Sequence, residues 1–289
     1  MITKSASIIY LISSFINIFI LVFIKRINGN KVLDITQIIF LRTLLSIILI
    51  VPFNIKNTIH IKCINKNTAL LLLTLGVLAS VDGYLWNFGL QQIPVNNAMI
   101  MLFLSPIITA LLGNVILKEK IENTIKMSFA INTVAVFLVY HFSVDNINIG
   151  YILLILDFFI YGFTAIIIKK LHYYPASFLL MVRMIVLLPI SFFTMKKLPM
   201  INKEIIWYTV IMSVGYITER TLLTKAYQIA KVTSIQPLRY FNVVFSSVLS
   251  YLILGEKLNV WQIIGISTIV ISGIIIAKNK VKINTWSTK

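Results

Sequence analysis

Seven residues stand out because their chemistry is at odds with the apolar sequence around them: Asp82, Trp86, Asp157, Tyr216, Glu219, Arg239 and Tyr240. A carboxylate held away from bulk water attracts a cation or a proton, a guanidinium attracts an oxyanion, and an aromatic face attracts an organic cation. Trp86 follows Asp82 by one helical turn and Tyr216 precedes Glu219 by three residues, so each ring shares a helix face with a carboxylate. The set reads as a binding surface for a small polar solute. It does not read as a catalytic centre. The chain has no nucleophile–histidine arrangement and no paired-aspartate motif, and His60, His141, His172 and Cys63 fall in expected loops or helix ends without clustering with carboxylates. No catalytic residue, metal ligand set or cofactor is therefore expected. The absence of a G-x-x-x-x-G-K-[ST] phosphate loop argues against an ATP-driven pump.

The elements that must position these residues are membrane helices. Of 289 residues 58% are hydrophobic and only 12% charged, with a mean hydropathy of +0.93, where a soluble domain carries roughly 25% charged residues. Ten apolar segments are expected near 6–24, 36–53, 68–90, 95–117, 124–141, 149–168, 176–195, 205–228, 232–254 and 258–277. Their lengths suit helices rather than the ~10-residue strands of a membrane barrel. The first segment lacks a small-residue cleavage site before "FIKRING", so it is expected as a retained helix. The single cysteine excludes an intramolecular disulfide.

Net charge is +17. In this context the lysines belong at helix ends facing anionic lipid, so membrane lipid and not nucleic acid is the expected partner. With ten crossings both termini share a side. That side collects lysines such as Lys4, Lys66, Lys118, Lys120, Lys169 and Lys170, about two for each on the other side, which implies cytoplasmic termini. Nothing in the sequence indicates an oligomeric state.

The chain repeats itself. "VNNAMIMLFLSPIITALLGNVILKEKI" (95–121) lies without gaps on "VTSIQPLRYFNVVFSSVLSYLILGEKL" (232–258), matching Glu119–Lys120 to Glu256–Lys257. The same offset carries Asp82 of "SVDGYLW" onto Glu219 of "ITERTLL", and a slightly shifted register sets Arg42 against Arg183. The partition is five helices plus five, over 6–141 and 149–277. An odd number of crossings inverts the second copy, an organisation common among secondary transporters whose solute site lies at the midplane. Asp82 and Glu219, each ~5 Å past the centre of its helix, would then flank that midplane from opposite sides.

"NFGLQQIPVNNAMIMLFLSPIITALLGNVILKEKI" and "TKAYQIAKVTSIQPLRYFNVVFSSVLSYLILGEKL" both resemble the fourth-helix signature of the drug/metabolite transporter superfamily, EamA type. That signature has a small-residue turn, a proline within the helix and a Leu-x-x-Glu exit. The second half, with "KAY", "PLRY", "SSVLSY" and the exit glutamate, is also similar to the S-adenosylmethionine uptake transporters of intracellular bacteria. The resemblance implies an all-α membrane protein of ten transmembrane helices in two inverted repeats.

Two readings of the buried charges compete. In one, Glu219 pairs with Arg220 or Arg239 and the pairs only lock helices together. In the other, Asp82, Asp157, Glu219 and Arg239 face a central cavity and meet solute, with Asp82 and Asp157 as candidates to carry a coupling proton. No basic residue is expected at the depth of those two aspartates. Arg42 and Arg183 are expected at the interface in a structural role. Pro106 and Pro237 should kink their helices, and Gly83, Gly162 and Gly215 should permit close approach or bending. The functional expectation is a secondary transporter of a small polar metabolite, with S-adenosylmethionine the best chemical fit. Export of amino acids or organic cations is the alternative within the class, and a non-transporting membrane scaffold the alternative outside it.

Overall fold

A computed structural model describes residues 4–27, 34–54, 64–93, 98, 101–139, 148–195, 197, 202–255 and 259–278. Among them the chain is all α, without a strand. The helices are α1 (Lys4–Ile27), α2 (Ile35–Asn54), α3 (Lys66–Gln92), α4 (Leu104–Ile116), α5 (Asn123–Val139), α6 (Ile149–Lys170), α7 (Ala176–Thr194) and α8 (Lys203–Ile229). A compound rod follows: α9 (Val232–Ile235), a 3-10 stretch (Gln236–Tyr240), α10 (Phe241–Leu249) and a π turn (Ser250–Leu254). Then comes α11 (Val260–Lys278). Among the described residues five helices, α1, α2, α3, α6 and α7, are long and apolar enough to cross a membrane.

Asparagine starts several of these helices. Asn65, Asn148 and Asn202 each accept a backbone N–H of the first turn, from Thr68, Gly150 and Ile205 respectively. The outer surface is apolar, as at Phe193, which is 83% exposed. Such a surface is stable against lipid and not against water.

The expected proline kinks take a different form. Pro106 lies in the first turn of α4, where its missing N–H costs no helical hydrogen bond, and Pro237 is the second residue of the 3-10 stretch. The ninth segment is therefore rewound rather than bent. Gly162 and Gly215 do permit close packing. A Cβ at Gly162 would lie 2.7 Å from Leu112 Cδ1, and one at Gly215 would lie 2.6 Å from Ile20 Cδ1. Gly83 does not, since a Cβ there would meet nothing within 4 Å; it borders open space.

The principal packing partners come from opposite halves of the chain. α3 packs on α6 and α7, α1 on α8 and α10, α2 on α7 and α8, α4 on α6 and α9, and α5 on α11. Polar side chains pin some of these seams: Ser128 to Ser272, Ser177 to Asn54, and Ser213 to the carbonyl of Arg42. The end of the bundle holding the start of α1 and the ends of α6 and α8 is filled by an apolar cluster that includes Ala6, Leu75, Leu171, Leu179, Tyr227 and Ile235. Toward the opposite end the described residues leave the interior open.

Candidate functional site: a charged central cavity

A cavity of about 380 Å³ occupies that open interior. Its walls come from α1, α2, α3, α6, α7, α8, the compound rod and the stretch before α4, so both halves contribute. Six of the seven sequence-designated residues line it: Asp82, Trp86, Asp157, Tyr216, Glu219 and Arg239. Tyr240 does not. Its ring is fully buried on the far side of the rod, stacked on Phe103 with centroids 5.4 Å apart, and its hydroxyl donates to the Phe103 carbonyl. Adjacent residues in a 3-10 stretch point in divergent directions, so Arg239 faces the cavity while Tyr240 faces the core.

The arginines divide the cavity into two parts. Arg239 lies over the Tyr161 ring, 3.9 Å from its centroid, and donates to Ser105 Oγ at 2.7 Å. Arg42 lies 4.0 Å over the Tyr216 ring, and Arg220 approaches the same ring at 5.5 Å. Stacking of a guanidinium on an aromatic face is favourable and leaves its edge donors free to bind. Glu219, 4% exposed, pairs with Arg220 at 3.0 Å. Of the two partners open to Glu219 in the sequence, the structure selects Arg220.

Asp82 and Asp157 are brought together. Among the charged groups acting on Asp157, Asp82 is the strongest and Arg239 follows. The expectation that no basic residue shares their depth is thus corrected: Arg239 stacks on Tyr161, one helical turn from Asp157. One oxygen of Asp157 is buried without a hydrogen-bond partner, although the residue itself is only 5% exposed.

Arg42, expected at the interface, instead lines the cavity, and Arg183 is buried behind it with an unpartnered Nε. Two further rings, Tyr10 and Tyr161, line the cavity although the sequence did not assign them to it. Tyr161 shares a 2.9 Å hydroxyl contact with Tyr227, and Tyr10 packs edge-on against Tyr227. A signal for Tyr10 did exist. Tyr10, Ser13, Ser14 and Asn17 follow the i, i+3, i+4, i+7 spacing of one helix face, and all four line the cavity. Among the described residues no His, Cys, Asp and Glu group could hold a metal ion.

The model of the EamA-like transporter family matches this chain twice, over residues 4–141 and 148–278. The chain belongs to the EamA-like transporter family. EamA-like proteins are membrane transporters of small solutes, and this member is accordingly an integral, multi-pass membrane protein. A crystal structure with a TM-score of 0.78 superposes on 95% of this chain and 96% of its own, at 12% identity. That likeness is one of fold alone. No curated protein matches the chain.

Proposed function

We propose that this EamA-like protein is a secondary transporter that moves a small amphoteric metabolite by alternating access, without ATP. The carrying observation is that one cavity gathers acids, arginines and aromatic rings from both halves of the chain. An amphoteric solute satisfies both signs of charge there, whereas a simple anion or cation leaves one sign unmatched.

The proposed architecture is ten transmembrane helices in two inverted repeats, 6–141 and 149–277, with both termini cytoplasmic. The helix pairings support it. Exchanging the halves turns α1 on α8 into α6 on α3, and α2 on α8 into α7 on α3. This is the relation expected of two equivalent repeats. In that orientation the packed end is cytoplasmic and the cavity opens outward.

S-adenosylmethionine is the proposed solute. Its amino-acid head, sulfonium and aromatic base match, in turn, an arginine, the carboxylates Asp82 and Asp157, and the rings of Trp86 and Tyr216. Asp82 and Asp157 are the proposed coupling pair, since facing carboxyl groups are most compatible when they share one proton. The test is counterflow of labelled S-adenosylmethionine into proteoliposomes preloaded with unlabelled S-adenosylmethionine, S-adenosylhomocysteine or amino acids. Counterflow lost in Asp82→Asn supports both solute and site. Its absence from a folded preparation removes S-adenosylmethionine, and amino acids or organic cations become the solutes to screen.

A further inference from the structure

The arginines around Tyr216 outnumber the carboxylates that could balance them. Glu219 is surrounded by Arg220, Arg183 and Arg42, in that order of strength, and its Oε2 is already taken by Arg220 at 3.0 Å. Arg42 has no carboxylate in ion-pair range among the described residues; its contact is the Tyr216 face at 4.0 Å. Arg183 is 4% exposed, with a buried Nε that no acceptor meets. Arg42, Arg220 and Arg239 line the cavity with Asp82, Asp157 and Glu219, and Arg183 is buried behind them, so four guanidiniums meet three carboxylates.

We infer that Arg42, held in place by stacking on Tyr216, and Arg220, both backed by Arg183, form an oxyanion subsite that receives the carboxylate of the transported solute. This deepens the proposed function and rests on it for the word "transported". Uncompensated guanidiniums in a membrane interior are unfavourable unless a counter-anion enters. Arg42 is stacked with its edge free, which suits planar recognition of a carboxylate. Arg239 is less available, because Ser105 and Tyr161 already engage it. The solute would therefore lie with its carboxylate toward α2 and α8 and its positive group toward the aspartates of α3 and α6. A lipid phosphate has the same oxyanion chemistry and is the rival occupant.

The test needs no knowledge of the solute. In delipidated detergent solution at constant ionic strength, acetate and inorganic phosphate are titrated against chloride while melting temperature is followed. The wild type should show saturable stabilisation by acetate, absent in Arg42→Gln and partly kept in Arg42→Lys, with all three proteins monodisperse. Stabilisation that is non-saturating, or equal in Arg42→Gln, overturns the subsite. So does tight retention of phosphatidylglycerol that acetate cannot displace, since the occupant is then lipid. A parallel competition distinguishes this failure from that of the transport reading. If S-adenosylmethionine counterflow is measurable, its decarboxylated analogue should compete at least tenfold more weakly in the wild type but equally in Arg42→Gln. Equal competition in the wild type sinks the subsite while leaving transport intact.

Discussion

Glu119 Oε2 accepts two hydrogen bonds from Thr233, one from the backbone N at 3.0 Å and one from Oγ1 at 3.1 Å. A carboxylate at the exit of α4 thereby caps the first turn of α9, satisfying an orphan N–H across the two halves of the chain. Asn114 anchors the segment by donating to the Glu119 carbonyl at 2.7 Å. Nearby, Lys169 Nζ donates to the carbonyls of Gln228 and Ala230. Together these contacts close the packed end of the bundle with polar clasps around its apolar cluster.

Replacing Glu119 by alanine should cost about 1–3 kcal/mol, the penalty for stranding buried donors. Glu119→Gln, which keeps an acceptor oxygen, should lose less. Thermal unfolding in detergent checks the order. Equal stability of the alanine variant and the wild type would show that the clasp contributes nothing.

Breaking the Glu219–Arg220 pair from one side should be costlier than removing it whole. Glu219→Gln leaves Arg220 without its carboxylate and is expected to destabilise by about 3 kcal/mol. The double variant Glu219→Gln/Arg220→Gln should recover part of that loss. Chemical or thermal denaturation of the four proteins forms the cycle, and simple additivity would refute coupling between the two side chains.

The aspartate pair gives a pH experiment. If Asp82 and Asp157 share the coupling proton, Asp157→Asn should leave a measurable exchange rate whose dependence on external pH is flattened relative to the wild type. Asp82→Asn, in which counterflow should be lost, serves as the inactive control. Should both variants retain transport and the full pH dependence, neither aspartate carries the proton.

Tyr240 should behave as a core residue. Tyr240→Ala removes a ring stacked on Phe103 and should destabilise by about 3–5 kcal/mol. Tyr240→Phe gives up only the hydroxyl bond to the Phe103 carbonyl, a loss of about 1 kcal/mol, and should keep the KM of the wild type. A large rise in KM for the phenylalanine variant would return Tyr240 to the solute site.

Much of the site was legible because charge is conspicuous in an apolar chain. Asp82, Asp157, Glu219 and Arg239 each interrupt a hydrophobic run, and all four line one cavity. What was not legible was direction. α6 offered only a thin signal, Asp157, Tyr161 and Thr164 at i, i+4 and i+7, for which side met the cavity. Arg42 was assigned to the interface by counting turns from its helix start, but depth along an axis says nothing about rotation about it. Tyr240 failed for a related reason. Its neighbour Arg239 suggested a shared site, but adjacent residues diverge by about 100–120° in α winding or in the 3-10 winding of Gln236–Tyr240, so the two point apart.

That winding also sets the length of the rod. From Val232 to Leu254 the chain passes through α, 3-10, α and π geometry without a break. A 3-10 stretch rises about 2.0 Å per residue against 1.5 Å in an α-helix. Relaxing the five residues of Gln236–Tyr240 to α geometry would therefore shorten the rod by about 2.5 Å and rotate one end against the other. Arg239 sits inside the segment whose pitch can change. Were that pitch to change, a small axial slide of the Glu119-capped end would become a swing of the guanidinium across the cavity.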